Sequence, residues 1–273
     1  MKARFAAATL GVAALFVVAL PVSRRASLAS RLPARVEHDA AASGRFVRRT
    51  FTDGGFTYQY QVFFPEDYDP KIPWPIIVAL HGSSEKGDDG EKQVHVGLAN
   101  VVRERAHDFP AIVVFPQVPR AGQVQAHAPP IARLIDDVVR DVHGDTTRVY
   151  LTGLSFGGVL AYLVARERPD HFAALIQVSA PLVIQPGARS TRLAPDSAAS
   201  DEARVLRGTG VWIYQGAHDP NVPARDTREV AQGLKNAGLS VRYTEYPDAG
   251  HDIWDRAYRD PALWHWIFDQ RRR

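Results

Sequence analysis

The segment RVYLTGLSFGGVLAYLVA, residues 148–165, places a serine between two glycines where a short apolar run gives way to a longer one. Gly153, Ser155 and Gly157 form the pattern G-x-S-x-G. In this pattern a strand turns sharply into a helix and strains the serine backbone, and side chains two residues away on either side would collide. The helix start behind the serine adds main-chain donors and a favourable dipole. The spacing predicts a nucleophilic serine; the alternative is a glycine-rich helix start capped by a serine.

A serine hydroxyl is a weak nucleophile until a base takes its proton, and that base is usually histidine. His251 comes just after the last predicted strand and is the candidate base, with Gly250 allowing the backbone to turn. His81 follows an earlier strand, but its HG dipeptide suits a structural residue that braces a loop. Packing, surface or loop roles are expected for the other histidines, which are His38, His95, His107, His127, His143, His171, His218 and His265.

The base in turn needs a carboxylate that holds its tautomer and stabilises the imidazolium. Asp219 follows the apolar run GVWIYQGAH and precedes PNVP, where a turn leads into a helix. It lies between Ser155 and His251 in the chain, which is the Ser, Asp, His order of serine hydrolases with an α/β sheet. Asp248 and Asp252 are close to His251 in sequence, but neighbours on one loop rarely face the ring correctly. Asp219 is therefore the predicted acid, with Asp248 in reserve.

An oxyanion needs two main-chain donors, and the stretch ALHGSSEKGDDG offers one of them. The amide of Ser83, after the HG dipeptide, and the amide of Phe156, after the serine, would both point at the developing charge. The acidic residues Glu85, Asp88 and Asp89 suggest a metal loop as an alternative use of this stretch. Their spacing does not match that of a calcium loop, so we expect no metal there.

The elements that must position these residues alternate between strands and helices, which predicts an α/β fold: a mostly parallel sheet with helices on both faces. In such sheets ligands bind at the carboxyl ends of the strands, where all the candidates fall. FTYQYQVFFP (56–65) has the alternating polarity of an antiparallel strand near a sheet edge. Further strands are predicted at 73–82, 110–117, 148–155, 172–180, 210–216 and 241–250. Helices are predicted at 91–107, 129–143, 156–167, 223–237 and 253–270, the last interrupted at Pro261.

Composition limits the possible partners. The chain has 273 residues, 45% of them hydrophobic, which is enough for a sizeable core. Its 33 basic and 30 acidic residues leave a net charge of only +3, so a nucleic-acid partner is not expected. Cysteine is absent, which excludes disulfides, thiolate metal sites, a cysteine nucleophile and a lipobox anchor.

The N-terminus has the pattern of a secretory signal. MKAR is basic, Phe5 to Leu20 is apolar and uncharged, and SLA offers small residues for cleavage. Residues 1–29 are therefore predicted to be a signal peptide that directs the chain to the periplasm or the medium. An uncleaved anchor is the alternative, because the run approaches the length of a membrane span, and only then is a membrane contact expected. Residues 30–44 are predicted to be a linker and 45–273 a single catalytic domain.

With these residues assembled, the chain resembles the α/β-hydrolase superfamily. More narrowly it is similar to secreted esterases of the polyhydroxybutyrate-depolymerase and feruloyl-esterase type and to the phospholipase/carboxylesterase group. The segments that carry the resemblance appear in family order: LHGSSEKGDDG, FPAIVVFPQ, RVYLTGLSFGG, YQGAHDPNVP and AGHDIWDRAY. The resemblance implies an α/β-hydrolase fold and a serine hydrolase without a cofactor. Its triad would be Ser155, Asp219 and His251, with an oxyanion hole from Ser83 and Phe156.

The expected function is hydrolysis of a small-molecule or polymeric ester through an acyl-enzyme intermediate. Two alternatives stay open: a serine peptidase related to prolyl-oligopeptidase catalytic domains, and a non-catalytic binding protein on a hydrolase fold. The loop-like stretch 181–208 is expected to lie over the site and to shape the acyl or alcohol pocket.

Overall fold

A computed structural model of the chain describes residues 44–181 and 198–272, and these residues contain one eight-stranded sheet. The spatial order of its strands is β1-β2-β4-β3-β5-β6-β7-β8. The pairs β1·β2 and β2·β4 are antiparallel and the others are parallel, so the predicted mostly parallel sheet is confirmed. In chain order the strands are β1 (Arg45–Asp53), β2 (Phe56–Phe64), β3 (Ile76–Leu80), β4 (Ile112–Pro116), β5 (Val149–Leu154), β6 (Ala174–Val178), β7 (Gly210–Gly216) and β8 (Val241–Tyr246).

Helices cover both faces of the sheet, which explains why the central strands are apolar on both sides. One core joins the sheet to helices α2, α3 and α5, and the other joins it to α1, α6 and α7. The seven α-helices among the described residues are α1 (Leu98–Glu104), α2 (Val124–Asp141), α3 (Phe156–Glu167), α4 (Ala198–Val205), α5 (Ala224–Asn236), α6 (Trp254–Tyr258) and α7 (Pro261–Asp269).

Two of the predicted helices have different bounds in the structure. The helix predicted at 91–107 is wrong as one element: a 3₁₀ turn at Lys92–Val94 precedes α1, and Gly97, with φ of 56°, separates them because a left-handed residue cannot continue a right-handed helix. The helix predicted from residue 129 begins five residues earlier, at Val124, and contains Pro129 and Pro130. The predicted interruption at Pro261 is confirmed, since α7 begins there.

The antiparallel start of the sheet is a hairpin that the sequence did not predict. Strand β1 pairs with β2 along its whole length, and Asp53 lies opposite Phe56. The two residues between them, Gly54 and Gly55, have φ of 59° and 80°, the backbone that a two-residue hairpin turn requires.

Several predictions concern parts of the chain outside the described residues. These are the signal peptide or anchor (1–29), the linker up to residue 43, and residues 182–197 of the predicted loop. Within that loop, α4 at Ala198–Val205 corrects the expectation of an irregular 181–208 stretch. Among residues 44–181 and 198–272, no helix is both long and apolar enough to cross a membrane.

Candidate active site

Ser155 occupies the sharp turn between β5 and α3. Its φ of 49° and ψ of −117° lie outside the usual regions for a residue with a side chain, and its amide donates to the Val178 carbonyl at 2.9 Å. The glycines around it are sterically required. A methyl group on Gly153 would overlap the backbone of Gly157, and one on Gly157 would overlap the carbonyl oxygen of Leu80. The predicted strand-to-helix turn is therefore the one that the structure contains.

The three side chains proposed from the sequence meet at the carboxyl ends of their strands. The His251 Nε2 atom lies 3.0 Å from Ser155 Oγ, and its Nδ1 atom lies 2.8 Å from Asp219 Oδ2. The Asp219 side chain is fully buried, whereas the His251 side chain is 16% exposed. A hydroxyl, an imidazole and a carboxylate thus form one continuous hydrogen-bonded chain whose outer end faces solvent.

The Asp219 carboxylate is held by four hydrogen bonds. Its Oδ1 accepts from the amides of Asn221 and Val222 at 2.8 and 2.9 Å. Its Oδ2 accepts from Gln215 Nε2 at 2.9 Å as well as from the imidazole. Because a carboxylate only accepts, His251 Nδ1 must carry the proton in this contact, which leaves Nε2 free to accept the hydroxyl proton of Ser155.

The other two aspartates near the histidine point elsewhere. Asp248 is exposed and forms an ion pair with Arg256 at 2.8 Å, and this hydrogen bond holds the pKa of the Asp248 carboxyl below its usual value. Asp252 is exposed as well. Of the three candidate acids, the structure brings only Asp219 to the imidazole.

The two candidate oxyanion donors lie on adjacent strand ends. Ser83 begins a 3₁₀ turn after β3, and Phe156 is the first residue of α3. Leu80 of β3 pairs with Gly153 of β5, so the two segments leave the sheet side by side. The first amides of a helical turn have no acceptor within that turn, which leaves them available to a ligand. The assignment of Ser83 and Phe156 as donors stays a prediction.

His81 braces the loop that carries Ser83, as predicted. Its Nε2 accepts from the Val118 amide at 2.9 Å, so Nδ1 carries the proton and donates to the Gly82 carbonyl at 2.6 Å. The ring is almost fully buried, and burial lowers its pKa from 6.5 to about 4. His81 is thus a neutral, two-sided support.

Asp89, in the same stretch, bonds to the loop itself. Asp89 Oδ1 accepts from the amides of Glu91 and Lys92 at 2.8 and 3.1 Å, and its Oδ2 lies 2.9 Å from Lys92 Nζ. Gln117 adds a bond from the β4 side, since its Oε1 accepts from the Gly90 amide at 2.7 Å. Among the residues with described side chains, no group of three or more histidines, aspartates or glutamates could hold a metal ion.

Three contributors to the site were missed by the sequence analysis. Ser179, just after β6, donates its hydroxyl to the main-chain carbonyl of His251 at 2.7 Å. Gln215 donates to Asp219 from inside β7. Its polar side chain in an otherwise apolar strand was the sequence signal that could have identified it. Gly216 needs to be glycine because a methyl group there would overlap the carbonyl oxygen of Gly250.

Gly250 was expected to allow the backbone to turn before His251, but the structure shows no need for a glycine at this position. Gly250 does not have a left-handed φ, and a methyl group on it would meet nothing closer than the His218 carbonyl oxygen at 3.8 Å. The turn before His251 therefore has room for a side chain at position 250. The residue that must be glycine is Gly216, which packs against the Gly250 main chain.

Two half-buried aromatic residues belong to the segments that carry the site, Trp254 after His251 and Phe156 after Ser155. The rings of Trp254 and His251 make a T-shaped contact, with ring centroids 5.8 Å apart. Phe156, next to Ser155, carries the Lys86 ammonium 3.8 Å from its ring centroid, within cation–π distance. Burial lowers the pKa of Lys86. The surroundings of the site therefore combine apolar ring surface with one cation.

The chain is similar to known hydrolases. The Dienelactone hydrolase family profile matches residues 120–260. The chain is 25% identical over 209 residues to "Probable feruloyl esterase C" of Aspergillus niger, covering 72% of this chain and 68% of that protein. It is 29% identical over 153 residues to "Lipase LipV" of Mycobacterium tuberculosis, covering 53% and 54%.

Among solved structures, the crystal structure of a thermostable esterase superposes with a TM-score of 0.65 at 25% identity. The match covers 83% of this chain and 63% of that esterase. The family match spans more than half of the chain and includes Ser155, Asp219 and His251. The chain belongs to the dienelactone hydrolase family, and it is a carboxylic ester hydrolase with an α/β-hydrolase fold.

Proposed function

We propose that this chain cleaves carboxylic esters through an acyl-enzyme intermediate with Ser155 as nucleophile, His251 as base and Asp219 as the acid that orients the base. The observation that carries the proposal is the pair of contacts at His251: 3.0 Å from Nε2 to Ser155 Oγ and 2.8 Å from Nδ1 to Asp219 Oδ2. Both lie within the range for proton transfer between a base and its partners.

The reaction follows from these contacts. Ser155 Oγ attacks the ester carbonyl carbon as His251 Nε2 takes its proton, and the carbonyl oxygen becomes an oxyanion. The amides of Ser83 and Phe156 stabilise that charge. His251 then gives the proton to the leaving alcohol, which leaves an acyl group on Ser155. Water then attacks the acyl carbonyl carbon as His251 Nε2 takes its proton. The bond from that carbon to Ser155 Oγ breaks, His251 returns the proton to Oγ, and the carboxylic acid leaves.

Asp219 stays a carboxylate throughout. Its four hydrogen-bond donors hold it in place, and its negative charge stabilises the imidazolium that forms in each half of the reaction. The proposal is tested by steady-state kinetics of the purified protein on p-nitrophenyl esters from acetate to octanoate, on methyl ferulate and on a proline-peptide anilide. Turnover of esters with no turnover of the anilide supports it. Cleavage of the anilide alone would favour the peptidase alternative.

Aromatic-acid esters belong in this series for a structural reason as well. The half-buried Trp254 ring packs against the His251 ring, the half-buried Phe156 follows Ser155 in the chain, and a relative carries the name feruloyl esterase. We propose that an aryl or short acyl group packs on this ring surface. If kcat/KM for methyl ferulate is several orders of magnitude below that for p-nitrophenyl acetate, the site does not bind an aryl acyl group.

We also propose that the enzyme acts outside the cytoplasm. The support is the basic MKAR start followed by an uncharged apolar run to Leu20 and the small residues of SLA. N-terminal sequencing of protein from the native envelope and medium tests this. A start shortly after Ala29 supports export with cleavage, an intact Met1 in the membrane fraction supports an anchor, and an intact Met1 on soluble cytoplasmic protein contradicts both.

A further inference from the structure

Two serines that directly follow neighbouring strands share an unusual φ angle. Leu154 of β5 pairs with Val178 of β6, so Ser155 and Ser179 are each the next residue after a paired position. Their φ values are 49° and 48°, in the left-handed region that a residue with a side chain rarely adopts. His143 and Asp170, the other non-glycine residues with positive φ among those described, are exposed, whereas Ser179 is fully buried.

The Ser179 hydroxyl has a specific acceptor. It donates to the main-chain carbonyl oxygen of His251 at 2.7 Å, and the same oxygen accepts from the Ile253 amide at 3.0 Å. The Ser179 amide itself donates to the Tyr214 carbonyl in β7 at 2.9 Å. One residue therefore connects the ends of two strands to the loop that carries the imidazole.

Glycine would adopt this backbone without strain, so steric demand alone does not favour serine at position 179. The hydroxyl is what glycine would lack, and its bond fixes the main chain of His251 rather than its ring. The ring is fixed by its two other partners, Ser155 and Asp219. The bond from Ser179 to the main chain and the two bonds to the ring together hold the imidazole in one position.

We propose that Ser179 is a positioning residue for the reaction: its hydroxyl sets the height of the His251 loop above the sheet and thereby the reach of Nε2 to Ser155. The inference rests on the proposed function and adds a residue to it. A displacement of a reacting group by about 1 Å can cost about 100-fold in rate, so even a small shift of this loop is measurable.

Three variants test the proposal. Ser179→Ala removes the hydroxyl and keeps the strained backbone, whereas Ser179→Gly removes the hydroxyl and relieves the strain. Thr209→Val is the matched control, because Thr209 is also buried and also donates its hydroxyl to a main-chain carbonyl, that of Phe172 at 2.9 Å, at the opposite end of β7. Each variant is measured for thermal stability, kcat and KM on an ester, and rate of labelling by an organophosphonate.

We expect both Ser179 variants to lose about 10- to 100-fold in kcat with KM within about threefold, and to be labelled more slowly by a similar factor. Ser179→Gly should be more stable than Ser179→Ala yet equally slow, so that activity follows the hydroxyl and not stability. Thr209→Val should lose stability and keep its kcat.

The outcomes separate this inference from the proposed function. Labelling of wild-type protein at Ser155, together with Ser179 variants that match wild type in kcat and labelling rate, overturns the positioning role alone. Recovery of activity in Ser179→Gly but not in Ser179→Ala overturns it too, since backbone strain would then explain the loss. A wild-type protein that is not labelled at Ser155 contradicts the proposed function itself.

Discussion

Gly216 lies directly against the main chain of Gly250, and this contact brings the loop that holds Asp219 next to the loop that holds His251. A methyl group on Gly216 would overlap the Gly250 carbonyl oxygen and also approach the Ala249 oxygen to 2.7 Å. The 2.8 Å bond between Asp219 and His251 depends on this close approach of two backbones. Because both groups are main chain, a clash between them cannot be relieved by a change of side-chain rotamer.

Gly216→Ala should therefore separate the two loops. We expect a loss of several kcal/mol of stability or, in a protein that still folds, a loss of most of its ester turnover, because backbone overlap in a packed interior forces a main-chain shift. Gly250→Ala is the matched control and should be tolerated, since its added methyl group has 3.8 Å of clearance. Thermal melts and kcat of both variants make the comparison. A Gly250→Ala variant as damaged as Gly216→Ala would contradict it.

The choice of acid is tested by three asparagine variants. Asp219→Asn should lower kcat by about 10⁴-fold with an intact fold, because the amide no longer selects the Nδ1–H tautomer of the histidine. Asp248→Asn and Asp252→Asn should each stay within a few-fold of wild type, since both side chains are exposed and Asp248 is paired with Arg256. If Asp248→Asn is the variant that loses its kcat, the acid comes from the loop after β8 and the assignment of Asp219 is wrong.

The sequence predicted most of this site because its signals are local. Gly153, Ser155 and Gly157 form one short recognisable pattern, although the clash that requires Gly157 is with Leu80 of the neighbouring strand β3. The order Ser155, Asp219, His251 follows from the sheet topology. Ser179 was missed because its bond to His251 spans 72 positions and its segment VSA has no distinctive pattern. Gly250 was expected to allow the turn, and the steric requirement at Gly216 was missed, because the contact between them joins two loops that are distant in sequence.

Element boundaries were predicted less well, again for physical reasons. An apolar helical pattern does not show that Gly97 adopts a left-handed φ, so the 91–107 helix appeared continuous. The helix predicted at 129–143 begins at Val124, and α2 includes Pro129 and Pro130 after a first turn. The signal peptide and the 182–197 stretch stay predictions.

Lys86 should contribute to the rate through the oxyanion loop. Its ammonium lies on the Phe156 ring and joins the segment of Ser83 to the segment of Phe156. A cation–π contact contributes about 0.5–2 kcal/mol, so Lys86→Met should lower kcat/KM by about 3- to 30-fold and Lys86→Arg should keep most of it. Lys92→Met, which removes an exposed ion pair with Asp89 in the same stretch, is the control and should leave kcat/KM unchanged. Equal effects of the two methionine variants would contradict this role.

His81 makes stability depend on pH in a defined window. Its pKa is about 4 in the folded protein, lowered by burial from 6.5, so only the unfolded chain takes up the proton as the pH falls below about 6.5. The stabilising contribution is complete above that pH and is lost progressively towards pH 4. Histidine NMR of labelled protein should show the His81 ring neutral at pH 5.5. A protonated ring at that pH, in folded protein, would contradict the two-sided support described here.

The role of Ser155 as nucleophile is tested most directly by mass-spectrometric mapping of the residue that an organophosphonate labels, on wild-type protein and on Ser155→Ala. We expect one adduct on Ser155 in wild type and none in the variant. We also expect the variant to lose ester turnover by several orders of magnitude with an unchanged melting curve, because the hydroxyl is the only group removed. An adduct on a different serine, or a folded Ser155→Ala that still hydrolyses the ester at the wild-type rate, would contradict the assignment of Ser155 as the nucleophile.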